Sequence, residues 1–285
     1  MSKVGIIGGS GLYHIDSLSN VKEIDVKTPF GDPSDKYIAG NLEGKEVYFL
    51  PRHGKGHRLM PSELNFRANI YGFKKLGVDT IISISAVGSL KEELKPRDIV
   101  IPDQFFDRTQ GRKDTFFGEG IVAHISFGNP FCRHLSELAY QTASKCDTDV
   151  HQGGTYINME GPAFSTQAES NVYRSWGMDI IGMTNLAEAK LSREAEICYT
   201  TIAMVTDYDC WREEEEEVSV EAIIANLNYN AENAKKIIKE MVQKLPEARD
   251  CDCHNALKCA IITQPDLIPP KTKDKLNLII NKYIK

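Results

Sequence analysis

Apolar positions cluster in short runs rich in β-branched residues at 4–7, 46–50, 80–84, 98–101, 155–159 and 197–206. Most are flanked by glycine, proline or charged residues, and a short apolar run between such breakers reads as a buried strand. Between several of them the period changes. Segments 62–76, 131–145, 165–176, 186–194 and 219–244 have helical character, the last with Val220, Ile223, Ile224 and Leu227 along one stripe. Gly77 follows the first of these where a C-terminal glycine cap belongs. Strands alternating with helices predict an α/β chain with a sheet sandwiched between helices. No linker-like segment precedes Pro246 and no internal repeat occurs, so residues 1–285 read as one domain. From about residue 246 the composition shifts toward Pro, Cys, Asp and Lys, and 264–285 reads as a tail ending in one short amphipathic helix.

Composition narrows the function classes. With 41% hydrophobic and 26% charged residues, the 285-residue chain has an ordinary globular balance. The net charge is −6, and the glutamate run 213–217 supplies five of it, leaving the remainder at −1. Such a surface lacks the basic stripe that nucleic-acid binding requires. The longest apolar runs fall well short of the ~20 residues of a membrane span, and the N-terminal one lacks the flanks of a signal peptide. Seven scattered cysteines fit reduced thiols better than a secreted disulfide framework, and the expectation is a cytoplasmic chain.

Candidate chemistry gathers where strands end. The first strand runs into Gly8-Gly9-Ser10-Gly11, which can cradle an anion with backbone N–H groups and the Ser10 hydroxyl or can be no more than a tight turn. It matches neither the dinucleotide fingerprint nor a Walker loop. A second strand delivers Pro51-Arg52-His53-Gly54: Arg52 can hold phosphate through its planar fork and His53 can add a proton-dependent bond, or the cluster is simply a basic surface loop. His53 and His57 have metal-ligand spacing, but Gly54 and Gly56 argue against the helix it needs, so no metal is expected there. A third strand ends in Ser85-Ala86-Val87-Gly88-Ser89. Three anion-friendly strand ends together favour a phosphate site, because ligands of open α/β sheets gather at strand termini.

Downstream lie 160–165, containing Phe164 and Ser165, then Gly182-Met183-Thr184 and Thr206-Asp207-Tyr208-Asp209. Phe164 can stack on a flat heterocycle, Met183 can pack under a sugar, and two carboxylates leaving a strand can address the edge of a base. Equally, a lone Phe or Met can be core and Asp-Tyr-Asp a turn with a helix cap. In the tail, Cys251-Asp252-Cys253-His254 with Cys259 admits inert thiols, a zinc cluster or a labile disulfide, and the spacing is not that of a standard zinc site.

The segments GIIGGSGLY, TPFGDPSD, PRHGKGHR, NFRANIY, SAVGSL, DIVIPDQFFDRT, EGPAFSTQAES, GMT and IAMVTDYDCW occur in an order that resembles the trimeric nucleoside phosphorylases over about residues 3 to 245. The resemblance implies a mixed, twisted central sheet flanked by helices. It implies reversible phosphorolysis of a purine nucleoside, with inorganic phosphate as co-substrate and neither metal nor organic cofactor. Ser10, Arg52, His53, Ser85, Ala86 and Thr184 match the phosphate residues, and Met183 the ribose contact. Phe164, Ser165, Asp207 and Asp209 match the base site. Val220, Ile223 and Ile224 match a 5′ pocket closed by His124 of a neighbouring subunit, in a homotrimer or a dimer of trimers. In heat-adapted members with similar tails, Cys132 and Cys198 also have matching positions, so the resemblance admits a disulfide between them.

Within that family, a carboxyl group at Asp207 suits a 6-aminopurine, and an apolar 5′ pocket suits a methylthio group, so 5′-deoxy-5′-methylthioadenosine is the expected substrate. The alternatives are a broad purine nucleoside phosphorylase acting on adenosine, inosine or guanosine, and a non-catalytic nucleoside or phosphate sensor with a redox-sensitive tail. The glutamate run reads as a solvated helix start or as a mobile lid over the base site.

Overall fold

The computed structural model describes residues 2–9, 12, 15, 17–212, 220–247 and 251–284, the side chains at 220–223 and 225 excepted. In chain order the elements are β1 (Val4–Gly8), β2 (Ser19–Ile24), β3 (Tyr37–Leu42), β4 (Lys45–Pro51), α1 (Phe66–Lys75), β5 (Thr80–Ser89), β6 (Ile99–Ile101) and β7 (Gln104–Arg108). They continue as α2 (Arg133–Ala143), β8 (Val150–Gln152), β9 (Thr155–Met159), α3 (Gln167–Ser175), β10 (Ile180–Gly182), α4 (Asn185–Glu194), β11 (Cys198–Asp207), α5 (Val220–Lys244) and α6 (Pro270–Ile280). The eleven strands among the described residues join one mixed sheet whose main path runs β2-β3-β4-β1-β5-β10-β9-β7, with β11 pairing β5 and β6, and β6 pairing β8. At its centre β4, β1, β5 and β11 are mutually parallel, so their C-terminal ends point the same way.

Two apolar layers cover the sheet. Helices α2 and α5 bury Leu135, Ala139, Ile237, Ile238 and Met241 against one face. On the other, α1 and α4 bury Phe66, Ile70, Phe73 and Leu191. Alternate residues of β1 feed opposite layers, Val4 and Ile6 one and Ile7 the other, as the two-residue period of a strand requires.

The six expected strands and five expected helices are present, with differences at the ends. Helix α1 starts at Phe66 rather than residue 62, because Asn65 caps it by accepting the Ala68 N–H, and 61–63 form a separate 3-10 turn. Gly77 follows its C-terminus at φ +80°. Strand β5 does not stop at residue 84 but runs to Ser89, so Ser85 to Gly88 lie within the strand and not in a loop beyond it. Strands β2, β3, β7, β8 and β10 have no counterpart in the apolar runs. Strand β2 is almost wholly exposed, and β8 and β10 are three residues each, too short for a period to show. The tail is not an appendage. Leu257, Ala260 and Ile268, with Leu276, Ile279 and Ile280 of α6, belong to the same apolar cluster as α1 and α4. No helix among the described residues is long and apolar enough to cross a membrane.

Glu194, at the end of α4, is 4% exposed and accepts hydrogen bonds from the Thr115 hydroxyl (2.6 Å) and the Phe116 N–H (2.7 Å). Burial pushes its carboxyl up to about 7 despite those donors. A raised carboxyl favours the protonated folded state, so this contribution is complete below the ordinary value of 4.5 and disappears as pH rises toward about 7. The span corresponds to about 3 kcal/mol. Thermal denaturation of Glu194→Gln should therefore lose less stability than the parent across that window; parallel pH profiles would contradict the assignment.

Candidate active site

A cavity of about 570 Å³ opens at the C-terminal ends of the parallel central strands. Strand β1 contributes Gly9 beyond its end, and Arg52 follows the end of β4, its N–H donating to the Gly8 carbonyl at 3.0 Å. Ser10 lies outside the described residues. Strand β5 contributes Ser85, Ala86, Val87 and Gly88, and Thr184, the N-cap of α4, brings that helix's first turn to the same wall. A helix N-terminus beside a guanidinium and a hydroxyl-bearing strand makes this wall suited to an anion.

Arg52 is held more firmly than its loop position suggests. Its side chain is 4% exposed, and the fork formed by Nε and Nη2 faces Glu188 on α4, with Nε to Oε1 at 2.5 Å and Nη2 to Oε2 at 3.2 Å. Nη2 also donates to Ser83 Oγ (2.6 Å) and Nη1 to the Ile84 carbonyl (2.9 Å). Four of the five guanidinium N–H groups are thus committed among the described residues, which leaves one at Nη1. The fork that the sequence suggests for phosphate is thus taken up by Glu188, and a single N–H is left for any other partner. Glu188 additionally accepts from Ser83 Oγ (2.9 Å) and Tyr199 Oη (3.0 Å), and Asn185 Nδ2 donates to Thr201 Oγ1 (2.7 Å). These buried side chains form one polar platform beneath the anion wall.

His53 lines the cavity, and its Nδ1 lies 2.8 Å from the Leu59 carbonyl, so Nδ1 carries the proton and donates. Burial, reinforced by the adjacent Arg52 charge, pushes the imidazole down to about 4. The ring is neutral near pH 7, with Nε2 an acceptor. It stacks on His57 with ring centres 4.2 Å apart.

Across the cavity stand Phe164, Met183, Asp207 and Asp209. Phe164 is 58% exposed at the rim, unusual for a large aromatic ring without a partner to cover it. Met183 sits over Gly161: a Cβ there would come within 2.5 Å of its sulfur, and φ +71° also demands glycine. The Gly161-Pro162 peptide is cis. Arg112 ties this wall together, donating to the Met183 carbonyl, to the Glu160 carbonyl at 2.6 Å and to the Glu160 carboxylate at 3.1 Å.

The register of β11 against β5 shifts between Val205 and Asp207, which brings Asp207 opposite Gly88. A bulge of this kind re-aims a side chain at a strand end. A Cβ on Gly88 would lie 2.9 Å from Asp207 Oδ1, so the carboxyl occupies space that only glycine leaves. Asp207 accepts the Thr206 hydroxyl on Oδ2 (2.7 Å) and the Asp209 N–H on Oδ1 (2.8 Å). Asp209 adopts φ +54° and is buried; burial raises its carboxyl, offset in part by the nearby Ser170 and Ser165 hydroxyls.

Not every expected residue lines the cavity. Ser165 is buried beside Asp209 and supports it from behind. Ile224 is half exposed and does not line the cavity, whereas Leu227, Asn228, Asn230 and Ala231, further along α5, do. The side chains of Val220 and Ile223, and the whole glutamate run, lie outside the described residues. His124 is exposed, away from its own chain's cavity, with its N–H bonded to the Ala260 carbonyl of the tail at 2.8 Å. Sequence reasoning missed Glu188, Asn185, Tyr199 and Arg112. A glutamate and an asparagine in the first turn of a helix look like ordinary solvated residues, and no periodicity marks them as buried.

The model of the phosphorylase superfamily matches residues 3–243. The S-methyl-5′-thioadenosine phosphorylase of Koribacter versatilis is 59% identical over 282 residues, covering 99% of this chain and 97% of its own, and that of Geobacter sulfurreducens is 58% identical with 99% of both covered. Among solved structures, a methylthioadenosine phosphorylase from an antarctic soil metagenomic library superposes with a TM-score of 0.93 at 48% identity, covering 98% of each chain. The methylthioadenosine phosphorylase of Schistosoma mansoni in complex with adenine gives 0.84 at 34% identity, covering 99% of this chain and 98% of that one. The chain belongs to the phosphorylase superfamily and, within it, to the family of S-methyl-5′-thioadenosine phosphorylases.

Proposed function

We propose that this chain catalyses the reversible phosphorolysis of 5′-deoxy-5′-methylthioadenosine to adenine and 5-methylthioribose 1-phosphate, a pentosyl transfer. The observation that carries the reading is one cavity with an anion wall on one side and a rim aromatic with two carboxyl groups on the other. A nucleoside placed between them puts its C1′ at the junction.

Phosphate rests on the Arg52 Nη1, Ser85, Thr184 and the first turn of α4, with Ser10 and the Ala86 backbone completing the set. Its oxygen attacks C1′ as the C1′–N9 bond breaks and the electron pair passes to the purine. Phe164 stacks on the base, Asp207 in its protonated form delivers its proton toward N7 and is left ionised, and Asp209 accepts from the 6-amino group. Placement and electrostatics supply the rate enhancement, because phosphate is itself the nucleophile and also stabilises the positive charge on the sugar. No step calls for a metal or an organic cofactor. The 5′-methylthio group meets the part of α5 that lines the cavity, at Leu227 and Ala231. His124, exposed and away from its own cavity, closes that pocket from a neighbouring subunit of a homo-oligomer, a trimer in the simplest arrangement.

The direct test compares kcat/KM for phosphate-dependent base release from methylthioadenosine, adenosine and inosine. A marked preference for methylthioadenosine is expected; equal use of inosine would make the enzyme a general purine nucleoside phosphorylase, and binding without turnover would leave a sensor. Asp207→Ala should lower kcat by roughly 10²–10⁴ while phosphate affinity persists, the usual scale for loss of a positioned proton donor. Near-parental turnover would displace Asp207 from that role.

Two further outcomes concern the phosphate wall. Because His53 is neutral and its Nδ1–H is engaged, Nε2 can only accept, which suits the P–OH that monohydrogen phosphate already carries, so His53→Ala should weaken phosphate binding. Calorimetric titration with phosphate reads this directly, and an unchanged affinity would exclude the contact. Glu188→Ala leaves the Arg52 charge buried without its partner and should cost about 3–5 kcal/mol of stability. The milder Glu188→Gln should raise the KM for phosphate more than that for the nucleoside; equal changes would show that Glu188 does not position Arg52.

A further inference from the structure

Four cysteine sulfurs converge on the side of the fold where the tail returns to the sheet. Cys132 is the N-cap of α2, Cys198 opens β11, and Cys251 and Cys253 follow α5 at the start of the tail. Their sulfurs all lie within 4.8 Å of one another, with Cys198 and Cys251 at 3.3 Å. Cys132, Cys198 and Cys253 are 3%, 0% and 8% exposed. No sulfur has a single exclusive partner: Cys132 faces Cys198, Cys253 and Cys251 together, and the Leu135 N–H in the first turn of α2 points at its sulfur.

We propose that these four cysteines form a structural tetrathiolate zinc site that fastens the C-terminal tail to β11 and α2. Zinc with four thiolates at about 2.3 Å is tetrahedral, and the edge of that tetrahedron is about 3.8 Å, within the spread of sulfur separations found here. Two discrete disulfides would instead bring the sulfurs together pairwise at about 2.05 Å. The tail spacing alone supplies only two of the four ligands, which is why the sequence offers no zinc pattern. The other two come from a helix cap and a strand start 119 and 53 residues before Cys251. As each S–Zn bond forms the thiol's proton passes to solvent, so a fully protonated cluster releases four protons per zinc and acquires a net charge of −2. The Leu135 N–H donates to the resulting anion, as outer-shell donors to metal thiolates do. With four protein ligands the ion has no open position and no role in the chemistry. Cys198 and Asp207 stand at opposite ends of β11, nine residues and about 30 Å apart.

The full-length chain, purified under reducing conditions without chelator, should contain one zinc per chain by plasma mass spectrometry. After zinc removal, Co²⁺ alone should restore thiolate-to-cobalt charge-transfer bands with tetrahedral d–d transitions. Cys253→Ser should lose the metal and Cys259→Ser, outside the cluster, should keep it. Zinc removal should lower Tm while leaving kcat/KM unchanged below the transition. Failure of the reduced chain to take up zinc or cobalt overturns the proposal, as does retention of full stoichiometry by Cys253→Ser. Since the serine variant can fail to fold, the parent also decides by itself. An intact mass four hydrogens low, without metal, identifies two disulfides and overturns the zinc assignment; seven alkylatable thiols without metal do the same.

Discussion

The fold's functional end depends on one buried ion pair. Arg52 comes from the end of β4 and Glu188 from the first turn of α4, and their fork-to-fork contact holds the phosphate wall in register with the helix that supplies Thr184. Such a pair is expensive to bury, and a guanidinium out of water is tolerated only because nearly every donor has an acceptor. Ser83, Tyr199, Asn185 and Thr201 supply further contacts, so β5, α4 and β11 together fix a side chain that leaves the turn directly after β4. The consequence for catalysis is preorganisation. The Arg52 cation at the cavity wall is already oriented, so in the proposed reaction orienting it costs nothing when phosphate arrives.

On the opposite wall the same principle is achieved by sterics. Gly88 and Gly161 leave space into which Asp207 and Met183 fit, and the bulge near the end of β11 turns the carboxyl toward the cavity. The Asp209 N–H then fixes one Asp207 oxygen, so the two acidic residues behave as one unit held by main chain. The two glycines thereby constrain the site as much as the side chains that touch substrate.

Much of this arrangement was legible in the sequence. The central strands are continuous apolar runs because both faces of a parallel sheet are covered, and their ends coincide with the segments that carry Arg52, Ser85 and Asp207. The peripheral strands were not legible, since β2 presents almost no buried residue and β10 is too short for periodicity to register. The supporting shell stayed hidden for a different reason. Glu188 and Asn185 are polar residues in a helix's first turn, where polarity is normal, and only the packing of α4 onto β5 reveals that they are buried. The cysteine cluster was illegible because its ligands are distant in the chain and meet only through the topology. Ser165 shows the converse: a residue matched to the base site supports that site from beneath rather than facing into it.

The position of α6 bears on how the protein is made. Leu276, Ile279 and Ile280 complete the layer begun by Phe66, Ile70 and Phe73, some two hundred residues earlier in synthesis. A nascent chain emerging at about 5–20 residues per second therefore holds that half-built apolar surface uncovered for more than ten seconds, until α6 clears the ribosome. Completion of this layer is thus bound to the emergence of α6, and the intermediate that precedes it exposes the kind of apolar surface that chaperones shield.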